Sequence, residues 1–246
     1  MKEYKSEFTQ QQHDENSPPG CENHYWFLTK KYILEQQLQT VKPKILDIGC
    51  SRGIYVDYLR RRGYDCWGVD LSQVIPLNRV KNYIFTGKDA RDLPKRFRDN
   101  INTLLLIDII EHFSDPIDFL HEILCSFPNA MQMIIIVPAE SKLWSIRDEF
   151  YKHYMRYNPK ELRAIIRALD YEILDMRFLF RLIYFPARTY LLLFQRLPLG
   201  IKAPQNLIAK ILHFVLSKLL ILEYHLVPRN LKGTSLVCSV NLSPHA

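Results

Sequence analysis

Four aspartates recur where short apolar runs end. Asp47 follows "KIL", Asp70 closes "DCWGVD", Asp89 follows "NYIFTGK" and Asp108 closes "INTLLLID". After the first comes a loop, Gly49-Cys50-Ser51-Arg52-Gly53, with glycines four residues apart. Carboxylates gathered round a glycine loop make a site that repels phosphate and suits a cation. Two histidines add proton chemistry, His112 in "DIIEHF" and His153 in "RDEFYKHYMRY". Asp148 is spaced to orient His153, and Arg156 to hold an anionic acceptor. Glu111 suits either an ammonium ligand or solvent. An aspartate ahead of a helix is often only its cap, which explains one of these acids better than four at matching strand ends.

The loop excludes the common nucleotide cradles. A dinucleotide fingerprint, G-x-G-x-x-G starting at Gly49, would need glycines at Ser51 and Ile54, and a P-loop would end in Gly-Lys-Ser/Thr. What remains is D-x-G-x-x-x-G, which lets the backbone approach a ligand without a row of amides for phosphate. A sulfonium with an ammonium, as in S-adenosylmethionine (SAM), is a ligand of that kind. Asp70, about twenty residues on, is placed for ribose hydroxyls, as in dinucleotide folds too.

The elements that position these groups alternate. "KILDIG", "DCWGVDLS", "NYIFTGKDA", "INTLLLIDII" and "AMQMIIIVP" read as strands, with a helix over "IYVDYLRRRG" and another over "DPIDFLHEILCSF", capped by Asp115. "NPKELRAIIRALD" predicts a further helix, "YEILDMRF" a sixth strand and "GTSLVCSVNL" a last one. Strands alternating with helices of this length imply an α/β fold with a mostly parallel sheet and helices on both faces. Residues 1 to about 22 read as a disordered tail, and Tyr25, Trp26, Phe27, Ile33, Leu34 and Leu38 fall roughly at helical spacing. Trp26 and Phe27 suit either a lid or plain packing.

The chain carries a net charge of +7 over 246 residues, but unevenly. Between Met176 and Lys232 nine Lys/Arg face one acid, Glu223, while the remainder holds 24 basic and 25 acidic residues. That segment is also very apolar. "FLFRLIYFPARTYLLLFQRL" sets Arg177, Arg181, Arg188 and Gln195 on one helical face, interrupted by Pro186; "NLIAKILHFVLSKLLILEY" leaves a polar stripe of Asn206, Lys210, His213 and Ser217. Such helices need a cover: the domain, a second copy in a homodimer, a greasy substrate or a membrane surface. Basic plus apolar character favours an anionic membrane over a nucleic acid. Five scattered cysteines without a CxxC pair argue against disulfides and a zinc site, and the polar N-terminus lacks a secretory core. Together these point to the cytoplasm, at the membrane periphery.

"ILDIGCSRG", "GVDLS", "GKDARDLP" and "LLLIDIIEHFSDP" resemble, in order and spacing, the successive motifs of the Rossmann-like SAM-dependent methyltransferases across roughly 44 to 138. The family's middle glycine is replaced by Ser51. "HYWFLTKKYIL" and "VPAESKLWSIRDEFYKHYMRY" further resemble a bacterial small-molecule branch with a hydrophobic C-terminal region. The resemblance implies a seven-stranded sheet built from 23–177 and 233–246, with 178–232 as a helical insertion before the last strand. It implies SAM as cofactor, with Asp47, Gly49, Cys50 and Gly53 on the methionine side. Asp70 with Leu71 would hold the ribose, Asp89 with Ala90 would meet the adenine, and Asp108 would close the pocket. His112, His153 and Asp148 become the catalytic candidates and Trp26, Arg156 and Tyr157 the substrate contacts, with no metal ligand among them.

Methyl transfer from a sulfonium needs alignment and desolvation, and a base only where the acceptor must lose a proton, as a hydroxyl must. The expectation is therefore transfer to a small or lipid-linked acceptor, at oxygen. A nucleic-acid methyltransferase would show N/D-P-P-Y/F or Pro-Cys after the fourth strand, and "DIIEHFSDP" is neither. A non-catalytic membrane-peripheral binding protein on the same fold is the alternative from outside enzymes.

Overall fold

A computed structural model describes residues 10–38, 43–194, 200–229 and 231–243. In chain order the elements are α1 (Gln10–Asn16), α2 (Tyr25–Gln37), β1 (Lys44–Ile48), α3 (Ile54–Arg61), β2 (Asp65–Asp70), β3 (Ile84–Thr86), α4 (Lys95–Arg98) and β4 (Thr103–Ile107). There follow α5 (Pro116–Ser126), β5 (Gln132–Pro138), α6 (Ile146–Phe150), α7 (Pro159–Ala168), β6 (Glu172–Leu179), α8 (Arg181–Phe194), α9 (Leu207–Leu226) and β7 (Ser235–Asn241).

The strands form one seven-stranded sheet in the order β3-β2-β1-β4-β5-β7-β6. β7 runs antiparallel to both its neighbours, and the other pairings are parallel. Strand alternation divides the core between the two faces. Leu46, Leu104, Leu106, Ile135 and Val137 pack with Phe119, Leu120 and Ile123 of α5 and Leu162 and Ile166 of α7. Ile45, Leu105, Ile107, Ile134 and Ile136 pack on the other side with Phe27, Ile33 and Leu34 of α2, with α3, and with Leu220 and Tyr224 of α9. The expected α/β architecture is thus present, with Asp115 capping α5 and Asn158 capping α7 through side-chain oxygens.

Two expectations change, and α9 adds an orientation the sequence left open. Within the supposed tail, Gln10–Asn16 is helical and Gln12, His13, Ser17 and Cys21 are buried. Its polar groups find partners beyond the reach of local sequence: Gln12 Nε2 donates to Phe150 O, and Ile201 N donates to Glu15 O at 2.9 Å. Second, α8 runs through Pro186 without a break. Its first turn is held by Glu223, whose carboxylate accepts the amides of Arg181 and Leu182 at 2.6 and 2.9 Å. On α9 much of the apolar side lies outward. His213, Ser217, Glu223 and Tyr224 face the protein, while Ile208, Ile211, Leu212, Val215, Leu219 and Leu222 are exposed. Gln195, on the expected polar face of α8, lies outside the described residues.

Candidate functional site

The strand order reverses between β1 and β4, and in open sheets that switch point opens a crevice beyond the strand ends. At the end of β1, Gly49 takes a φ of 74°, and a Cβ there would lie 2.0 Å from Ile109 Cδ1. Only glycine fits. Ser51 holds the same left-handed region, φ 48°, although it carries a side chain. The loop is pinned by Asp70, whose Oδ2 accepts Ser51 N and whose Oδ1 accepts Ser72 N, both at 2.8 Å. Asp47 is buried, and its Oδ2 has no hydrogen-bond partner; burial, and then the Asp70 charge, push its carboxyl well above the usual range.

A cavity of about 1220 Å³ spans this crevice. Asp47, Gly49, Cys50, Asp70, Leu71, Asp89, Ala90 and Asp108 all line it, as do Trp26, His112, His153 and Arg156. Gly53 does not; its φ of 80° instead starts α3, with Ile84 Cδ1 2.1 Å from where a Cβ would sit. Asp89 caps the turn after β3 and binds the Arg91 guanidinium, which outweighs burial and holds its carboxyl below the usual range. Asp108 takes a φ of 55°, and Lys30 of α2 pairs with it. Trp26 stacks on Phe180 with centroids 4.1 Å apart, so it packs and lines the cavity at once.

The histidines meet at the far end, with ring centroids 4.8 Å apart. Asp148 is fully buried, and its Oδ1 lies 2.9 Å from His153 Nδ1 and 2.7 Å from Arg156 Nε. Burial alone would raise the Asp148 carboxyl, but His153 and Arg156 together hold it below the usual range. An ionised carboxylate only accepts, so His153 carries its proton on Nδ1 and keeps Nε2 as the basic atom. Burial, then the neighbouring His153, pushes the His112 pKa down to about 3 and keeps that ring neutral. Asp148 itself does not line the cavity; it acts by orienting His153.

Tyr157 departs from its expected place. It is fully buried in the core, absent from the cavity wall, and its hydroxyl donates to Ile110 O at 3.0 Å.

The methyltransferase-domain family matches residues 21–176 of the chain. The chain belongs to that family. No curated protein matches it in sequence. Among solved structures, this methyltransferase is similar to a SAM-dependent methyltransferase from Archaeoglobus fulgidus, at 16% identity and a TM-score of 0.51, covering 86% of this chain and 92% of that one. It is also similar to the plantazolicin methyltransferase BpumL, solved with a desmethyl substrate analogue and SAH, at 15% identity and a TM-score of 0.53 over 94% and 87% of the two chains. A third likeness is the geranyl diphosphate C-methyltransferase of Streptomyces coelicolor, at 12% identity and a TM-score of 0.51 over 86% and 74%. Its fold is therefore that of the SAM-dependent methyltransferases.

Two groups at or behind the cavity wall, His13 and Lys30, escaped sequence reasoning. His13 of α1 approaches Ser51, with Nδ1 3.5 Å from the serine Oγ, over the Asp70 end of the loop. Lys30 is fully buried against Asp108, 78 residues away. No local signal marks either; the pairing is tertiary. Glu111, which sequence left between an ammonium and solvent, is fully buried with neither carboxylate oxygen hydrogen-bonded.

Proposed function

We propose that this methyltransferase binds SAM in the acid-lined half of the cavity and passes its methyl group to a hydroxyl of a small or lipid-linked acceptor. The observation that carries it is one cavity joining two chemistries: the Asp47–Asp70–Asp108 strand ends and the Asp148-oriented His153 beside His112. The residues fit the donor. Asp47 offers an unpartnered buried oxygen to a cationic methionine moiety, and each Asp70 oxygen keeps a second lone pair for ribose hydroxyls. Gly49, at a φ of 74°, keeps the loop backbone bare where it borders the cavity. Bound SAM would supply an already activated methyl group. The chain then has to align the acceptor, exclude water and hold its hydroxyl at His112 and His153, where the proton leaves. Arg156, on the wall with one face on Asp148, suits an anionic group on that acceptor. The geranyl diphosphate C-methyltransferase methylates, by its name, a small diphosphate at carbon, which supports a small acceptor here but not the choice of atom.

The test is transfer of labelled methyl from SAM to a hydroxyl-rich lipid extract, with and without His153→Ala. Label in extractable product from the wild type, lost in the variant while S-adenosylhomocysteine still binds, supports the assignment. Transfer unchanged by His153→Ala overturns it.

The surface of α9 supports a membrane-peripheral location. No helix among the described residues is long and apolar enough to cross a membrane. Yet the outward side of α9 is apolar, Phe185, Leu192 and Leu193 of α8 are exposed too, and Lys202, Lys210 and Lys218 stand exposed in the same segment. That combination suits the interface of an anionic bilayer. Flotation with phosphatidylglycerol vesicles, weakened by salt and by Leu212→Glu, is the expected result. No flotation, or a dimer in solution that hides the face, would remove the membrane role.

A further inference from the structure

Among the described residues, Glu111, His112 and His153 form one cluster of metal-ligand type, offering one donor atom each within 4.8 Å of one another. Glu111 makes the cluster more than a coincidence of residue types. It is 0% exposed, lines the cavity, and neither of its oxygens has a hydrogen-bond partner. A buried carboxylate in that condition is costly unless something positive meets it. The protein's own nearby cations are committed elsewhere. Lys30 Nζ sits 2.5 Å from Asp108, and Arg156 Nε sits 2.7 Å from Asp148.

The two imidazoles are oriented as ligands are. His153 Nδ1 is held by Asp148 Oδ1 at 2.9 Å, which leaves Nε2 as donor and reproduces the carboxylate–histidine–metal arrangement. Backbone groups of Tyr151 and Lys152 hold the His112 ring, whose centroid lies 4.8 Å from that of His153. Metal bonds of about 2.1 Å place neighbouring donors about 3 Å apart, so binding would draw the three side chains inward by small rotations.

We propose that Glu111, His112 and His153 bind one divalent transition-metal ion that takes the acceptor hydroxyl. Two nitrogens and one carboxylate favour Mn²⁺, Fe²⁺, Co²⁺ or Zn²⁺ over Mg²⁺ and Ca²⁺, which prefer all-oxygen sets. Three protein ligands leave open positions. The acceptor class this implies is a hydroxyl with a second oxygen close by, both reaching the metal. Its role in transfer rests on the methyltransferase reading; its binding does not. With the ion bound, His112 and His153 would act as its ligands instead of receiving the proton; the ion would lower the hydroxyl pKa and the proton would pass to solvent. An oxygen lone pair then forms the O–CH3 bond as the C–S bonding pair returns to sulfur, leaving a neutral thioether.

The experiment is titration of the chelator-stripped full chain with Co²⁺, read by its visible ligand-field bands and by calorimetry. We expect one Co²⁺ per chain, an affinity about 10- to 100-fold weaker in Asp148→Asn, and a larger loss in Glu111→Gln and His153→Ala. His225→Ala, at an exposed residue on α9, keeps the wild-type affinity. No stoichiometric site in the wild type overturns the proposal, as does a site that Glu111→Gln and His153→Ala both leave unchanged. S-adenosylhomocysteine titrated into the same wild-type sample separates the two claims. Nucleotide binding without Co²⁺ binding removes the metal and leaves the methyltransferase; failure to bind the nucleotide removes the donor reading instead.

Discussion

Lys30 Nζ lies 2.5 Å from Asp108 Oδ2, the lysine side chain fully buried and the aspartate 37% exposed. Through this pair α2 is tied to the end of β4 at the switch point, and Trp26, one turn earlier, sits under the same ammonium at 4.8 Å. Breaking it leaves Asp108 beside Glu111 with no cation bonded to it. Lys30→Met should cost about 2 kcal/mol, and Lys30→Met with Asp108→Asn should recover part of that, because the uncompensated charge goes with its partner. Urea unfolding of the three variants measures both; an unaltered midpoint in Lys30→Met would mean the pair does not hold α2.

Ser51 adopts a φ of 48°, in the left-handed region that favours glycine. A side chain in that region costs about 1 kcal/mol, so Ser51→Gly should stabilise by a fraction of that, offset by the extra freedom glycine gives the unfolded chain. It should leave nucleotide affinity unchanged, since the Ser51 amide bonded to Asp70 remains. Thermal unfolding and nucleotide titration check the two halves.

His24 caps α2 by accepting Trp26 N at 3.2 Å, and its ring lies 4.5 Å from His213 of α9. Burial, followed by His213 and Arg147, brings its pKa down to about 4. The unfolded chain takes up this proton near pH 6.5 and the folded chain near 4. Its contribution is therefore whole above pH 6.5 and lost progressively as pH falls toward 4. The urea midpoint should drop between pH 7 and 5, and His24→Asn, which keeps a capping oxygen, should flatten that drop. An identical slope in the variant would contradict the assignment.

Tyr157 is a core residue whose hydroxyl meets Ile110 O. Tyr157→Phe should cost about 1 kcal/mol of stability and leave the acceptor KM untouched. A raised KM would return it to the substrate site.

What the sequence shows and hides divides along a physical line. Strand ends, the glycine loop and the caps Asp115 and Asn158 depend on local backbone rules, and all appear where their spacing puts them. The acids line one cavity because parallel strands deliver their carboxyl ends to one edge. The burial of α1, the Lys30–Asp108 pair and the orphaned Glu111 depend on contacts between distant segments, which periodicity does not encode. For α9 the pattern leaves the orientation open. Its polar stripe is split: Asn206 and Lys210 are exposed, His213 and Ser217 turn inward with Glu223, and most of the leucines other than Leu220 remain outside.

The central claim is that the Asp70-pinned loop holds a sulfur nucleoside. Calorimetric titration with S-adenosylhomocysteine, beside NADH and beside Asp70→Ala, tests it most directly. The account requires binding at one site per chain, none for NADH, and at least a tenfold loss in Asp70→Ala. A folded wild-type protein that ignores S-adenosylhomocysteine, or an Asp70→Ala variant that folds and binds it unchanged, would contradict it.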